Sequence, residues 1–197
     1  MITLTDELRQ KRTNSLMHEL ENDVARLRRE IKKERRENSV SIVCFSGEWD
    51  KLFATFSIAN GALEMGQEVH LFFTFWGATA LRKVNGDGGM QTQRSLLQRM
   101  LGWMLPSGIA GAPLSKMHFF GLGKLMMGRL LRQKGVDDLQ ALVSRAREMV
   151  AHFHCCDTSL QLLGWSCRDL EDGERTDWCG VTSFLGQAMK GKTTLFI

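Results

Sequence analysis

Chemistry is concentrated in one stretch, His152-Phe153-His154-Cys155-Cys156-Asp157-Thr158-Ser159, which carries two thiols, two imidazoles and a run of oxygen-bearing side chains. Residues 151–155 read as a short strand, and Asp157, Thr158 and Ser159 offer side-chain oxygens able to cap a helix after it. Cys156 is then expected at the carboxyl end of a strand, facing the first turn of a helix. In an open α/β sheet that edge is where ligands and catalytic groups collect. The free N–H groups and positive dipole end of a helix there favour thiolate over thiol. Cys155, by alternation along the strand, points to the other side and reads as buried or as an occasional resolving thiol. His152 and His154 point the same way as Cys156. Their spacing is too wide for one tight site and a fourth ligand is missing, so no metal is expected.

Other kinds of site find little support. There is no Gly-x-x-x-x-Gly-Lys-Ser/Thr loop, and no Gly-x-Gly-x-x-Gly set between a strand and a helix; Gly121-Leu122-Gly123 is a fragment of that pattern. Ser46 lacks the Gly-x-Ser-x-Gly setting of a serine nucleophile. The five cysteines form no Cys-x-x-Cys pair and no spacing suited to structural zinc. Cys44 reads as core and Cys167 and Cys179 as bystanders, with a place near the site as the alternative for Cys179, next to Gly180. No cofactor is expected.

The elements that must hold Cys156 in place follow from periodicity. Val40-Ser41-Ile42-Val43-Cys44-Phe45 is short, β-branched and apolar, as a buried parallel strand is. Residues 49–65 repeat Leu52, Phe53, Phe56, Ala59, Ala62 and Leu63 at helical spacing and end at Gly66, where a helix caps. Residues 68–74 supply the next strand, which completes a βαβ unit. The loops Ser46-Gly47-Glu48 and Thr74-Phe75-Trp76-Gly77 fall at the same sheet edge as Cys156. Phe75 and Trp76 read as core or rim packing rather than as a cofactor stacking platform, with Trp76 expected near the site. Helices are expected at 138–150, capped by Asp137, at 160–164 and at 181–190. Residues 168–177 read as an irregular charged connection, and residues 193–197 as a last strand.

Residues 78–136 depart from this rhythm. Residues 85–89 read as a loop. Leu96, Leu97, Met100, Leu101 and Met104 make an apolar helical face ending before Pro106, and a methionine-rich helix covers about 123–131. A subunit interface, a lid over the cysteine, a membrane-surface contact or burial within the monomer would each cover so much apolar surface.

Cys156-Asp157-Thr158-Ser159, followed by Leu163-Gly164, resembles the Cys-x-x-Ser segment that bears the sulfur-accepting cysteine in the DsrE/DsrF-like sulfur-relay family. Phe45-Ser46-Gly47-Glu48-Trp49-Asp50-Lys51, Ile58-Ala59-Asn60-Gly61-Ala62, Phe72-Phe73-Thr74-Phe75-Trp76-Gly77, Leu114-Ser115-Lys116-Met117 and Gly180-Val181-Thr182-Ser183-Phe184-Leu185 resemble segments of a longer subgroup, in the expected order. The resemblance covers roughly residues 40–197. Cys155 doubles the family's cysteine, and His118 and Phe119 stand where small or polar residues are usual. The resemblance implies an α/β three-layer sandwich with a mainly parallel sheet, of DsrEFH-like or flavodoxin-like type, and an oligomer. It also implies Cys156 as the sulfur-bearing residue, supported by Ser159, Ser46, Gly47, Thr74, Trp76 and Lys116. Lys51, Lys83 and Lys116, in these motif loops, could lower the thiol's pKa.

Composition sets the outer bounds. With 197 residues and 43% apolar content, one domain of ordinary core size is expected over 39–197, after an extension at 1–38. In that extension Met17, Leu20, Val24, Leu27 and Ile31 form one helical stripe among Arg, Lys and Glu, as in a short coiled coil or a solvated arm. The formal charge of +4 is mild, and glutamates interrupt the basic run, so no nucleic-acid partner is expected. No basic start leads into an apolar run with a cleavage site, and no apolar stretch is long enough to span a bilayer, so a cytoplasmic protein with reduced thiols is expected.

A persulfide carrier needs a reachable thiolate, donors for the terminal sulfur anion and a docking surface, with no general-base triad. The expectation is therefore a sulfurtransferase or sulfur carrier that relays sulfane sulfur on Cys156 between donor and acceptor proteins, rhodanese-like or small sulfur carriers. The alternative is a non-catalytic oligomeric binding or scaffold protein of the same fold. A peroxide-reducing role lacks the Thr and Arg such a cysteine needs.

Overall fold

The computed structural model describes residues 4–83, 95–116, 122–171 and 176–197. They divide into two compact units, residues 1–37 and 38–197. The first is a single helix, α1 (Leu4–Glu37), whose Met17, Leu20, Val24, Leu27 and Ile31 are all exposed.

The second unit is built on β1 (Val40–Cys44), α2 (Trp49–Glu64), β2 (Val69–Phe73), a 3-10 helix (Phe75–Leu81), α3 (Leu96–Met104), α4 (Gly108–Gly111), α5 (Leu122–Lys134), α6 (Leu139–Glu148), β3 (His152–Cys156), α7 (Asp157–Leu163), β4 (Asp177–Cys179), α8 (Val181–Ala188) and β5 (Thr193–Phe196). The five strands form one sheet in the order β4-β3-β2-β1-β5, every pairing parallel. Helices flank the sheet, as the α/β expectation requires.

Strand alternation sorts the two faces. Val40, Ile42, Cys44, Val69, Leu71, Phe73, Phe153 and Cys155 point into the large core with Leu52, Phe56 and Ala59 of α2 and Leu139 and Val143 of α6. The amide of Asn60 donates to the Leu142 carbonyl at 2.9 Å and ties the two helices together. On the opposite face Phe72 and Cys156 pack with Phe184 and Ala188 of α8. A hydrophobic helix stripe and a strand's alternate residues are satisfied together only in such a layered arrangement.

Several boundaries differ from the sequence reading. The strand runs through Cys156, and α7 begins at Asp157 with Cys156 as its N-cap residue and no side-chain cap. Asp157 instead accepts from the Gln161 amide at 2.8 Å. The cap of α6 is Asp138, which accepts the Ala141 N–H at 2.9 Å; Asp137 pairs with Arg145 at 2.8 Å. A one-residue slip moved the cap because both aspartates have suitable oxygens. The connection expected at 168–177 leads at Asp177 into an edge strand, β4, too short for periodicity to mark. The expected loop at 85–89 and residues Met117, His118, Phe119, Phe120 and Gly121 lie outside the described residues.

α3 and α5 leave Leu96, Leu97, Met100, Trp103, Met104, Leu125 and Met126 exposed, and α5 has no buried residue, so burial among the described residues does not account for these faces. Among the described residues, no helix is long and apolar enough to cross a membrane.

Candidate functional site

The carboxyl edge of the sheet gathers the end of β2, the start of α7 and the β4 terminus around one thiol. β2 ends at Phe73, and Thr74 follows with its N–H on the Cys44 carbonyl at 3.0 Å. Phe75 then takes a left-handed φ of 46°, strained for an aromatic residue, and turns the chain into the 3-10 helix. Gly77 makes that turn possible: a Cβ there would run into the Cys44 carbonyl oxygen.

Ser159, in the first turn of α7, is the hub of the site. Its hydroxyl lies 3.1 Å from the Thr74 hydroxyl and accepts the Phe75 N–H at 2.9 Å. Burial of Cys156 opposes its ionisation and is the largest single influence. Hydrogen bonds from the Ser159 hydroxyl and N–H, the Thr74 hydroxyl and the Thr158 N–H together outweigh it, and the thiol sits below its ordinary value of 9.0. These donors are the kind that hold a sulfur anion. Among the described residues, no lysine is one of the groups that shift this thiol.

The other described thiols are pushed the opposite way. Burial raises Cys44 and Cys155 to about 12, and raises Cys179 by burial first and then by the negative charges of Cys156 and Asp177. Among Cys44, Cys155, Cys156 and Cys179, all free, Cys156 is thus the thiol favoured to ionise.

One expectation is corrected here. The thiol is not open to solvent: Cys156 is 2% exposed, beneath Phe184 and beside Phe72. Phe184 and Ala188 of α8 pack with Cys156 on this face.

The remaining residues singled out from sequence are distributed around this centre. Ser46, Gly47 and Trp76 line a neighbouring cleft of about 390 Å³ with Lys51, Leu105 and Pro113. Ser46 donates to the Glu48 carboxylate at 3.1 Å, and Gly47 packs so closely on the Trp76 carbonyl and Thr79 that no side chain fits. Lys116 is exposed and lines a separate groove of about 370 Å³ with Leu114, Met126, Met127 and Leu130. Thr74 and Ser159 alone of the supporting set act directly on the thiol.

Sequence reasoning missed two cross-strand pairings on this face of the sheet. His70 joins His154 at 3.1 Å and stacks on His152 with ring centroids 4.8 Å apart, which makes a histidine row across β2 and β3. Alternation had already put His152 and His154 on this face; the registry that adds His70 is tertiary. Among the described residues, no group of three His, Cys, Asp or Glu could hold a metal ion. Cys179 stands in register with Cys156 on the neighbouring strand, a pairing that requires the unforeseen β4.

A parallel α/β sheet with a low-pKa cysteine between strand end and helix start defines a class of thiol protein. Comparison with known proteins makes the class specific: residues 36–196 match the DsrE/DsrF/DrsH-like family, and the chain belongs to it. It is 37% identical over 157 residues to the uncharacterized protein YrkE of Bacillus subtilis, covering 80% of this chain and 95% of that one. It is 24% identical over 168 residues to the sulfur carrier protein DsrE2 of Allochromatium vinosum, covering 82% of this chain and 99% of the other. The crystal structure of the ychN protein from E. coli superposes with a TM-score of 0.47 at 13% identity, over 81% of this chain and 99% of that one.

Proposed function

We propose that this protein is a sulfurtransferase or sulfur carrier that holds sulfane sulfur as a persulfide on Cys156 and relays it between partner proteins. The observation that carries the reading is the ring of donors from Thr74, Thr158 and Ser159, which favours the Cys156 thiolate despite its burial. Thiolate attacks the outer sulfur of a donor persulfide, the donor's sulfur–sulfur bond breaks, and the donor leaves as a thiolate. The same donors then suit the terminal sulfur anion. Membership of the family, and similarity to a protein named as a sulfur carrier, support the reading.

On this reading the partners are persulfide donors and acceptors, rhodanese-like or small sulfur carriers, and the relay works in the reducing cytoplasm, where thiols persist. A homo-oligomer formed through the exposed stripe of α1 is part of the proposal.

The test is peptide mass spectrometry of the reduced protein after exposure to polysulfide, for wild type, Cys156→Ser and Cys155→Ser. Gain of sulfur at Cys156, lost in Cys156→Ser and kept in Cys155→Ser, is the expected result. The burial of Cys156 favours a second reading, a non-catalytic oligomeric binding or scaffold protein. That reading stands if Cys156 takes up no sulfur from any donor.

A further inference from the structure

β3 and β4 run side by side and parallel, with His154 opposite Asp177, Cys155 opposite Trp178 and Cys156 opposite Cys179. Residues paired across neighbouring strands project to the same face. The ring of His154 confirms the sense of that face, since its Nδ1 lies 3.8 Å from the Asp177 carboxylate. Two residues further along, Cys156 and Cys179 therefore share a face, and both pack in the apolar cluster of Phe72 and Phe184. Neighbouring strands are about 4.8 Å apart, inside the range of roughly 4.4–6.8 Å between Cα atoms that a disulfide spans. Cys44 and Cys155 point into the core on the opposite face.

We infer that Cys179 is the resolving thiol of this site, which converts a persulfide on Cys156 into an intramolecular Cys156–Cys179 disulfide with release of hydrosulfide. The inference rests on the persulfide reading above. The Cys179 thiolate attacks the Sγ of Cys156; the bond from that Sγ to the sulfane sulfur breaks as the Sγ–Sγ bond forms. The sulfane sulfur leaves with the electron pair of the broken bond and takes up the proton lost by Cys179, so it departs as HS⁻. The sulfane sulfur is reduced to sulfide while the two cysteine sulfurs are oxidised to the disulfide, and no external oxidant enters. A dithiol reductant resets the pair for another round.

The surroundings suit that division of labour. Burial and the neighbouring negative charges keep Cys179 protonated while Cys156 ionises, so sulfur is held on Cys156 until Cys179 loses its proton. Cys179 lies on the edge strand and is partly exposed, which gives hydrosulfide a way out.

The experiment loads wild type, Cys179→Ser and Cys179→Ala with polysulfide, removes the donor and follows the proteins under anaerobic conditions. Released sulfide is trapped with monobromobimane, and disulfides are mapped by non-reducing peptide mass spectrometry. Wild type is expected to release one sulfide per Cys156–Cys179 disulfide formed. Both variants are expected to load Cys156, lose sulfur at least about tenfold more slowly, as befits loss of an intramolecular nucleophile, and form no such disulfide. Equal decay in all three proteins, or a wild-type disulfide that joins Cys156 to any other cysteine, overturns the resolving role and leaves the carrier reading intact. Absence of sulfur on Cys156 in all three overturns the carrier reading and the resolving role together.

Discussion

The hydroxyls of Thr74 and Ser159, 85 residues apart in the chain, lie 3.1 Å from each other and close the site from both sides. One follows β2 and the other opens α7, so the sheet edge itself sets the polar environment of Cys156. The Phe75 N–H is drawn into the same hub at 2.9 Å, across a backbone held at positive φ.

Ser159→Ala removes that hub. The Phe75 N–H loses its partner, and a stability loss of about 1–2 kcal/mol is expected in urea denaturation. Removal of the Ser159 hydroxyl also takes away the strongest of the hydrogen bonds that favour the thiolate, so the Cys156 pKa rises. Alkylation of Cys156 by iodoacetamide followed against pH should move to higher pH in Ser159→Ala, and by a smaller step in Thr74→Val. An unmoved profile in Ser159→Ala would show that the hydroxyl does not tune the thiol.

The thiol and the elements around it were legible because each leaves a local signal. The apolar run of β1, the 3.6-residue repeat of α2 and the Cys-x-x-Ser spacing all act within a few residues. What stayed hidden depends on pairing between distant strands. Cys179 became a neighbour of Cys156 only through β4, three residues long and exposed at two of them, which gives no alternation to read. His70 looked like one position of an ordinary strand until the β2–β3 register set it beside His152. The depth of Cys156 was missed for the same reason, since its cover, Phe184, comes from a helix 25 residues later in the chain.

Gly77→Ala tests the backbone that shapes the hub. Its new methyl group would meet the Cys44 carbonyl, which is backbone and cannot swing aside, so a loss of about 2–3 kcal/mol is expected by urea denaturation. Gly61→Ala is the control: it lies within α2 with nothing within 4 Å of the added methyl. There the helix gains about 0.5–1 kcal/mol. Equal effects at both positions would contradict the close approach at Gly77.

The histidine row makes the fold sensitive to acid. His154 lies below the ordinary histidine value of 6.5, mainly through burial, with Asp177 opposing the shift and His152 adding to it. Around the row, Glu68 lies 3.3 Å from both His70 and His152, and the Gln187 amide meets His70 at 3.0 Å. A folded-state pKa below the unfolded one means that the unfolded chain binds more protons near pH 6. His154 therefore lowers stability progressively as pH falls through 6.5 towards its folded value. Urea midpoints measured from pH 8 to pH 5 should fall over that window, and the fall should be shallower in His154→Asn. A slope identical in the variant would remove His154 as its cause.

The stripe on α1 has a heptad reading. Met17, Val24 and Ile31 recur every seventh residue, and Leu20 and Leu27 recur between them. β-Branched residues at the first kind of position with leucine at the second favour a parallel two-stranded coil. In that register Asp23 of one helix faces Arg28 of the other, an attractive pair at the flank of the seam. Flank pairs of this kind contribute little energy and act mainly on register and orientation. The stripe is where the energy lies, because burial of each aliphatic side chain yields about 1.5–3 kcal/mol. Light scattering of the full chain should give a dimer or a multiple of it, and Leu20→Lys with Leu27→Lys should halve the mass. Asp23→Arg should weaken assembly, and adding Arg28→Asp should restore it, since the charges are then exchanged and the pair is again attractive. Full-size assembly in the double lysine variant would mean that this stripe is not the seam, and that α1 is a solvated arm.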